Sequence, residues 1–403
     1  MRSLQSVRRR SVPFLLFLAL LLILSACGGK SQGTAGAPDA SSGAPAKAAE
    51  TPKTLTIRDA YDREVTISLP VKRVAALAPG ALRFVIYLDG VDRLAGVEAI
   101  EQREASLSLG RTYTQIYEKE FKALPTISPG GPQKAPDPEA LAKVNPDVVF
   151  TTLDPKELDA LAEKVSFPIV SINFTPKLSQ GFPGPVSTEF GPEFRASLEL
   201  VAKVLGREDR AQKLLQDIDA VEKDLRERAA RAENKPGPRV YLGGLAFRGG
   251  AGIESTAASY FPFDILGANN VAREGGKKGS FLIDKEKLLE WNPDVIFIDS
   301  INLDLIRQDC QRRPEFYRQL KAIQEGRTYT LLPIRNYGIN GEIALLDAYW
   351  VGKILYPEAF GDVDLDKKGR ELFRMFFGDK GETAYEELIR TYGGLRTVNP
   401  CEP

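Results

Sequence analysis

Three arginines occupy the segments of this chain best suited to recognition chemistry. Arg83 falls one turn into a helical run that follows Ala78-Pro79-Gly80. Arg248 stands in the glycine-rich stretch Gly243 to Gly250, and Arg335 follows a short apolar run and precedes Asn336-Tyr337. A guanidinium presents a planar fork of donors that matches carboxylate or phosphate, so three of them near one cleft would hold an anion. Each alone is more readily read as a solvated surface residue, and all three are assigned to loops or a helix start outside the core. The glycines of these loops, and of Ser128-Pro129-Gly130-Gly131, let backbone approach a ligand and expose N–H donors, although turn chemistry alone accounts for any one of them. Phe247, Tyr260, Phe261 and Tyr337 supply an apolar or stacking wall, with core packing the plainer reading, above all for Phe261. The candidate ligand contacts are therefore Pro79, Gly80, Arg83, Ser128, Gly130, Phe247, Arg248, Tyr260, Arg335 and Tyr337.

Absences narrow the chemistry further. The chain contains no histidine. That removes a Ser-His-Asp triad, a histidine general base, an HExxH zinc site and an imidazole ligand to haem. It also argues against a dedicated site for bare zinc or manganese. Acids are plentiful, but no motif sets a nucleophile beside a base, so an enzyme is not expected, nor a cofactor. The 54 basic and 54 acidic residues cancel, which gives no electrostatic footprint for nucleic acid.

The elements that must position these residues begin after an export signal. Arg2, Arg8, Arg9 and Arg10 precede an apolar run of 11 residues, Phe14 to Leu24. A membrane-spanning helix needs roughly 20, so residues 1–26 read as a signal peptide rather than a stop-transfer segment. Leu24-Ser25-Ala26-Cys27 then resembles the bacterial lipobox, which implies cleavage before Cys27 and its acylation; an ordinary signal peptide with an incidental cysteine is the alternative. Acyl chains contribute about 0.8 kcal/mol per buried CH₂, so this protein is expected to be exported and lipid-anchored to the bacterial cell envelope. Residues 27–53 are nearly free of large apolar side chains and read as a flexible tether. Of the remaining cysteines, Cys310 and Cys401 could pair, but a separation of 91 residues does not decide it.

The body carries an internal repeat. Leu141 to Phe150 reads LAKVNPDVVF and Leu288 to Phe297 reads LLEWNPDVIF. In each, a helix ends before Asn-Pro-Asp and a β-branched strand follows, because proline disfavours helix in the residue before it. A recurrent helix-turn-strand loop would produce the same outline; the identities in the same order favour a duplicated α/β domain. Leu55 to Ile57 and Val65 to Ile67 alternate as a hairpin, and Arg73 to Leu77 reads as a buried strand leading into the helix of Arg83. Strands at 148–151, 169–172, 295–299 and 328–332 alternate with helices, which implies parallel sheets. From Glu208 to Arg231, the residues Leu214, Leu215, Ile218, Val221 and Leu225 recur at helical spacing. That helix would span about 36 Å, enough to bridge two lobes; a coiled-coil partner helix is the alternative. The expected organisation is 54–190 as the first lobe, 191–235 as the connecting region and 236–403 as the second lobe.

Taken in order, the segments KRVAALAPGALRFVIYLDGVDRLAGV, NPDVVF, GANNVA, NPDVIFIDS and YWVGKILYPEAF resemble the substrate-binding proteins of ABC importers for iron complexes and vitamin B12. The resemblance runs from about Thr54 to the C-terminal helices. It implies two Rossmann-like lobes joined by one rigid helix, a ligand in the cleft between them, and an ATP-driven permease with its ATPase as partner. It implies no catalysis, and we expect a monomer. An anionic iron chelate such as a ferric siderophore is the first expectation for the ligand. A corrinoid, an oxyanion such as molybdate, or a sensory role without transport are the alternatives. Many relatives carry a glutamate near the start of the first helix and another in the second lobe for docking the permease. Arg83 stands where the first would fall and Phe261 near the second, so that acidic pair is not carried over.

Overall fold

The structure is a computed structural model that describes residues 53–103, 110–131, 134–173, 190–233, 237–246 and 250–402. The signal peptide, Cys27 and the tether up to residue 52 lie outside the described residues, as do Phe247 and Arg248. Among the described residues no helix is long and apolar enough to cross a membrane.

The hairpin forms where alternation predicts it: β1 (Lys53–Arg58) pairs antiparallel with β2 (Glu64–Leu69). The first lobe is then built on β3 (Val74–Leu77), β4 (Val97–Glu98), β5 (Thr126–Ser128), β6 (Val148–Thr151) and β7 (Ile169–Ser171). β3, β6 and β7 form a parallel sheet in that order, and β4 pairs in parallel with β5. Every residue of β3, β6 and β7 is buried, as expected for strands covered by helices on both faces. The second lobe uses β8 (Arg239–Gly243), β9 (Ser255–Ala257), β10 (Asn269–Asn270), β11 (Ser280–Leu282), β12 (Val295–Asp299) and β13 (Thr328–Leu331). Its parallel sheet runs β10-β8-β12-β13, with β9 and β11 as a separate antiparallel pair.

Several helices carry the packing between the lobes. α1 (Ala81–Tyr87) leaves the end of β3, and α2 (Glu208–Arg231) is the long connecting helix with the bounds that its apolar spacing predicts. α3 (Gly341–Leu355), α4 (Leu365–Phe377) and α5 (Gly381–Tyr392) close the chain. α2 buries Leu214, Leu215, Ile218 and Leu225, with Val221 half-buried against the same core. Its first turns are pinned by Arg210, which reaches Asp89 at 3.2 Å and the carbonyls of Met375 and Phe376. Near its last turn, Arg228 bonds Asp362 at 2.6 Å and the carbonyl of Ala359 at 3.0 Å.

One apolar cluster runs from β2 and α1 through α2 into α3, α4 and α5, so the lobes share a core. Tyr87 of α1 packs on Phe376 of α4 at 4.8 Å between ring centres. Two smaller clusters belong to single lobes. Cys310 and Cys401, left open by the sequence, form a disulfide that ties the chain's end to the helix Leu303–Arg312.

Candidate functional site

The loop from Arg335 to Asn340 carries the chain out of the second lobe's sheet and lays it against the first lobe. It is closed on itself by a bridge between Arg335 and Ile339 and by Asn340 N–H donating to Ile334 O at 2.8 Å. Tyr337 takes φ of +50° and Gly338 +113°. Only glycine fits at 338: a Cβ there would lie 2.5 Å from Arg83 Nη1 and 2.8 Å from Gly80 Cα. The loop therefore sits directly on the turn between β3 and α1, at the C-terminal ends of the strands where open α/β sheets bind ligands.

Arg83 is the centre of this contact, and its surroundings correct the expectation that it lies outside the core. It is 3 % exposed, because α1 is buried along its whole length between β3 and the C-terminal helices. Its Nη2 donates to Asn340 Oδ1 at 2.8 Å and lies 3.5 Å from Asn336 O. Its guanidinium stands 4.9 Å from the centre of the Tyr113 ring. The Nε and Nη1 donors have no hydrogen-bond partner. Among the described residues Arg83 makes no ion pair: its hydrogen bonds go to neutral acceptors and its guanidinium faces a ring, while the buried carboxylate that feels its charge, Glu101, is already paired with Arg111. Beside it lies a crevice of about 10 Å³ lined by Gly80, Arg83, Tyr87, Phe190, Ile339 and Gly341.

Two acids flank this point. Glu342, fully buried at the start of α3, accepts from Tyr87 Oη at 2.7 Å and from Thr112 Oγ1 at 2.6 Å. Burial, and then the charge of Glu342, hold the Tyr87 phenol well above its ordinary range. Glu101 pairs with Arg111 at 3.2 Å and accepts from Tyr113 Oη at 2.9 Å. Burial raises its carboxyl against the pull of Arg111.

On the other side of Tyr337 a larger cavity of about 110 Å³ opens between Ala78, Pro79, Glu98, Lys134, Thr152 and Tyr337. Pro79 O accepts from Thr152 Oγ1 at 2.9 Å. Glu98 accepts from Ala78 N–H at 3.2 Å and from Tyr337 Oη at 2.6 Å, and Tyr337 Oη itself accepts from Gly131 N–H at 3.0 Å. Burial pushes the Glu98 carboxyl up to about 7, outweighing the hydrogen bonds that favour its charge.

The structure thus gathers Pro79, Gly80, Arg83, Gly130 and Tyr337 at one lobe boundary. Gly130 packs so tightly that a Cβ would meet Glu98 Cβ at 2.8 Å. Ser128 is buried at the end of β5. Arg335 turns back into its own lobe, donating to Ser280 Oγ at 2.7 Å near the buried Asp299. The guanidinium groups of Arg83 and Arg335 therefore take different partners, Arg83 the loop 336–340 and Arg335 Ser280. Tyr260 is fully buried, 5.2 Å from the Phe263 ring, and Phe261 packs on Phe190. Sequence reasoning missed Glu98, Arg111, Asn340 and Glu342. Glu342 left a trace, an acid within the apolar run of α3, whereas Glu98 and Arg111 sit in segments without periodicity.

Residues 74–334 match the family described as "Periplasmic binding protein". The chain is 27 % identical over 334 residues to the molybdate-binding protein MolA of Haemophilus influenzae, covering 80 % of this chain and 90 % of that protein. It is 24 % identical over 325 residues to the iron-uptake system-binding protein of Bacillus subtilis, covering 78 % and 88 %. The solved structure of the Haemophilus influenzae MolA bound to molybdate superimposes with a TM-score of 0.63 at 23 % identity, over 80 % of this chain and 98 % of that one.

Proposed function

We propose that this chain, which belongs to the periplasmic binding protein family, captures a small oxyanion of the molybdate kind at the boundary between its lobes. As a member of that family it is an exported solute-binding protein that serves an ABC permease, and it is not an enzyme. The observation that carries the ligand class is Arg83: a buried guanidinium with Nε and Nη1 unanswered and no carboxylate paired to it. Such a charge is costly to bury alone, and an oxyanion would satisfy both free donors at once. Asn336 O and Asn340 Oδ1 now accept from the third guanidinium nitrogen, so a ligand enters by displacing little more than this loop. The crevice beside Arg83, about 10 Å³, has room for roughly one water, so an oxyanion takes the place of the loop 335–340 on Arg83. The identity to a molybdate-binding protein over most of both chains agrees with this reading.

An anionic iron chelate is the second reading, favoured by the likeness to an iron-uptake binding protein. A chelate requires the loop 335–340 to swing away from Arg83. Acylation at Cys27, a tether at 27–53 and a monomeric body belong to the same proposal, since a receptor held by lipid can reach a membrane permease.

Titration calorimetry of the mature protein with molybdate, sulfate, phosphate and a ferric siderophore is the test. Molybdate is expected to bind most tightly, and Arg83→Ala to weaken it by roughly tenfold to a hundredfold, the worth of one charged hydrogen bond. Arg83→Lys, which keeps the charge in a buried position, is expected to recover part of the loss. Binding of the siderophore alone, indifferent to Arg83→Lys, would replace the oxyanion by the chelate.

A further inference from the structure

Glu98 takes no part in holding an anion at Arg83, yet it is placed where the two lobes meet. It belongs to β4 of the first lobe, and its Oε2 is the partner of Tyr337 Oη from the second lobe at 2.6 Å. It is 5 % exposed. Among the described residues no cation pairs with it. The groups that face it come from four directions. From its own strand's continuation comes Glu101, already paired with Arg111. From the turn after β3 comes Ala78 N–H, and from the loop after β5 comes Gly130, with Gly131 N–H on the Tyr337 oxygen. Across the cavity stand the exposed Lys134 and Glu157. A carboxyl in this position is covered by Tyr337 and gains no ion pair in return; the cation that it feels, Arg111, stands 5.8 Å from the centre of the Tyr337 ring and is committed to Glu101.

We infer that Glu98 and Tyr337 form a proton-linked latch, in which seating the 335–340 loop on the first lobe takes up one proton from solvent onto Glu98 and lifting it returns that proton. The latch concerns lobe closure and rests on the solute-binding role of the family, not on the choice between oxyanion and chelate.

The sign follows from the two states. With the loop lifted, Glu98 is wetted and titrates as an ordinary glutamate near 4.3. With the loop seated, burial first of all, opposed by the bonds from Tyr337 and Ala78, holds it at about 7. The seated state binds its proton more tightly, so its advantage is full below the lower value and is lost as pH rises to the upper one. Between pH 5 and 7 the equilibrium for seating should fall by up to about tenfold per pH unit and then level off. The strained φ of Tyr337 is consistent with a residue held in place by its contacts rather than by local preference.

Hydrogen–deuterium exchange, corrected for the intrinsic pH dependence of amide exchange, reads the latch without any ligand. Peptides covering 334–341 and 128–131 should lose at least tenfold protection between pH 5.5 and 7.5, while a peptide covering 295–299 stays constant. Glu98→Gln, which keeps the shape and removes the titration, should be protected equally at both pH values. Tyr337→Phe should lower protection at pH 5.5. Equal protection of the wild-type loop at both pH values overturns the latch, as does a Glu98→Gln variant that loses protection as the wild type does. If Glu98→Gln does not fold, the wild-type comparison alone still decides. A molybdate titration alongside separates the two proposals: pH-dependent protection without molybdate binding keeps the latch and removes the oxyanion.

Discussion

At the lower ends of the strands the two lobes repeat the same kinds of contact. In the first, Arg73 at the foot of β3 caps the helix Pro138–Val144, its Nη2 reaching Val144 O at 2.5 Å. In the second, Arg239 at the foot of β8 caps the helix Lys285–Trp291, its Nη2 reaching Trp291 O at 3.0 Å. Asn145 and Asn292 follow in the left-handed region, with φ of +41° and +37°. Asp147 then accepts from the N–H groups of Lys72 and Arg73, and Asp294 from that of Arg239. At the upper ends the likeness stops. The first lobe offers Arg83, Glu98, Glu101 and Arg111, and the second offers Asp299, Asp347 and Arg335. The repeated ends make the scaffold, and the divergent ends hold what a ligand would meet.

The strongest test of that equivalence is the matched pair that ends the repeat. Phe150 and Phe297 are both fully buried. Replacing either with alanine leaves a cavity and should cost roughly 3–5 kcal/mol. Denaturant titration of Phe150→Ala and Phe297→Ala is expected to give losses within about 1 kcal/mol of each other if the lobes share one scaffold. Phe297 also touches Phe263 and Tyr329, so a larger loss there would locate where the second lobe has packed further.

This repeat is also why so much of the fold was legible. Asn-Pro-Asp is local chemistry: proline stops the helix, asparagine tolerates the turn and aspartate caps the next strand's neighbour. The long helix, the hairpin and the central strands likewise follow from periodicity within a few residues. The site was less legible because its contacts join distant parts of the chain. Arg83 meets Asn340 across 257 positions and Tyr337 meets Glu98 across 239, and no local pattern encodes such a meeting. Arg83 was found by its residue type and its place after a turn, but its burial was not, since one arginine within an apolar helix start reads as solvated. Arg335 and Tyr260 were chosen on the same grounds, and packing turned one toward Ser280 and the other into the core. The disulfide depended on how the C-terminal segment returns to the helix Leu303–Arg312, which spacing cannot report.

A smaller effect is expected where the capping aspartates are neutralised. Asp294 is the more heavily engaged, since it also accepts from Lys321 Nζ at 2.7 Å. Burial works against its charge, but the bonds from Lys321 and the Arg239 N–H prevail and hold its carboxyl below the usual range. A depressed value contributes stability that is present above the unfolded pKa of about 3.9 and is lost as pH falls through the folded one. Asp147→Asn and Asp294→Asn should each cost about 1–3 kcal/mol at neutral pH, with Asp294→Asn the costlier. Thermal melts should show the gap between wild type and Asp294→Asn closing as pH is lowered from 6 toward 3. A gap that is the same at every pH would mean that the shape of the aspartate, not its charge, does the capping.

The finest distinction lies in the two asparagines. Both hold the left-handed conformation, which costs an ordinary residue about 1–2 kcal/mol and asparagine less. Both are exposed and both follow a buried helix end. Their side chains differ in one bond, since Asn292 Oδ1 accepts from Lys321 N–H at 3.0 Å, whereas the extra bond at Asn145, from Arg73 Nε at 3.3 Å, goes to its backbone carbonyl. Asn145→Ala removes only the conformational tolerance, so it should cost about 1 kcal/mol. Asn292→Ala removes the tolerance and a hydrogen bond, which adds about 0.5–1.5 kcal/mol. Glycine separates the two contributions, because it adopts the left-handed region freely. Asn145→Gly should therefore be near neutral by denaturant titration, while Asn292→Gly should still lose the part that belongs to Lys321. If both glycine variants were equally neutral, the bond to Lys321 would contribute nothing, and the two turns would be alike in energy as well as in form.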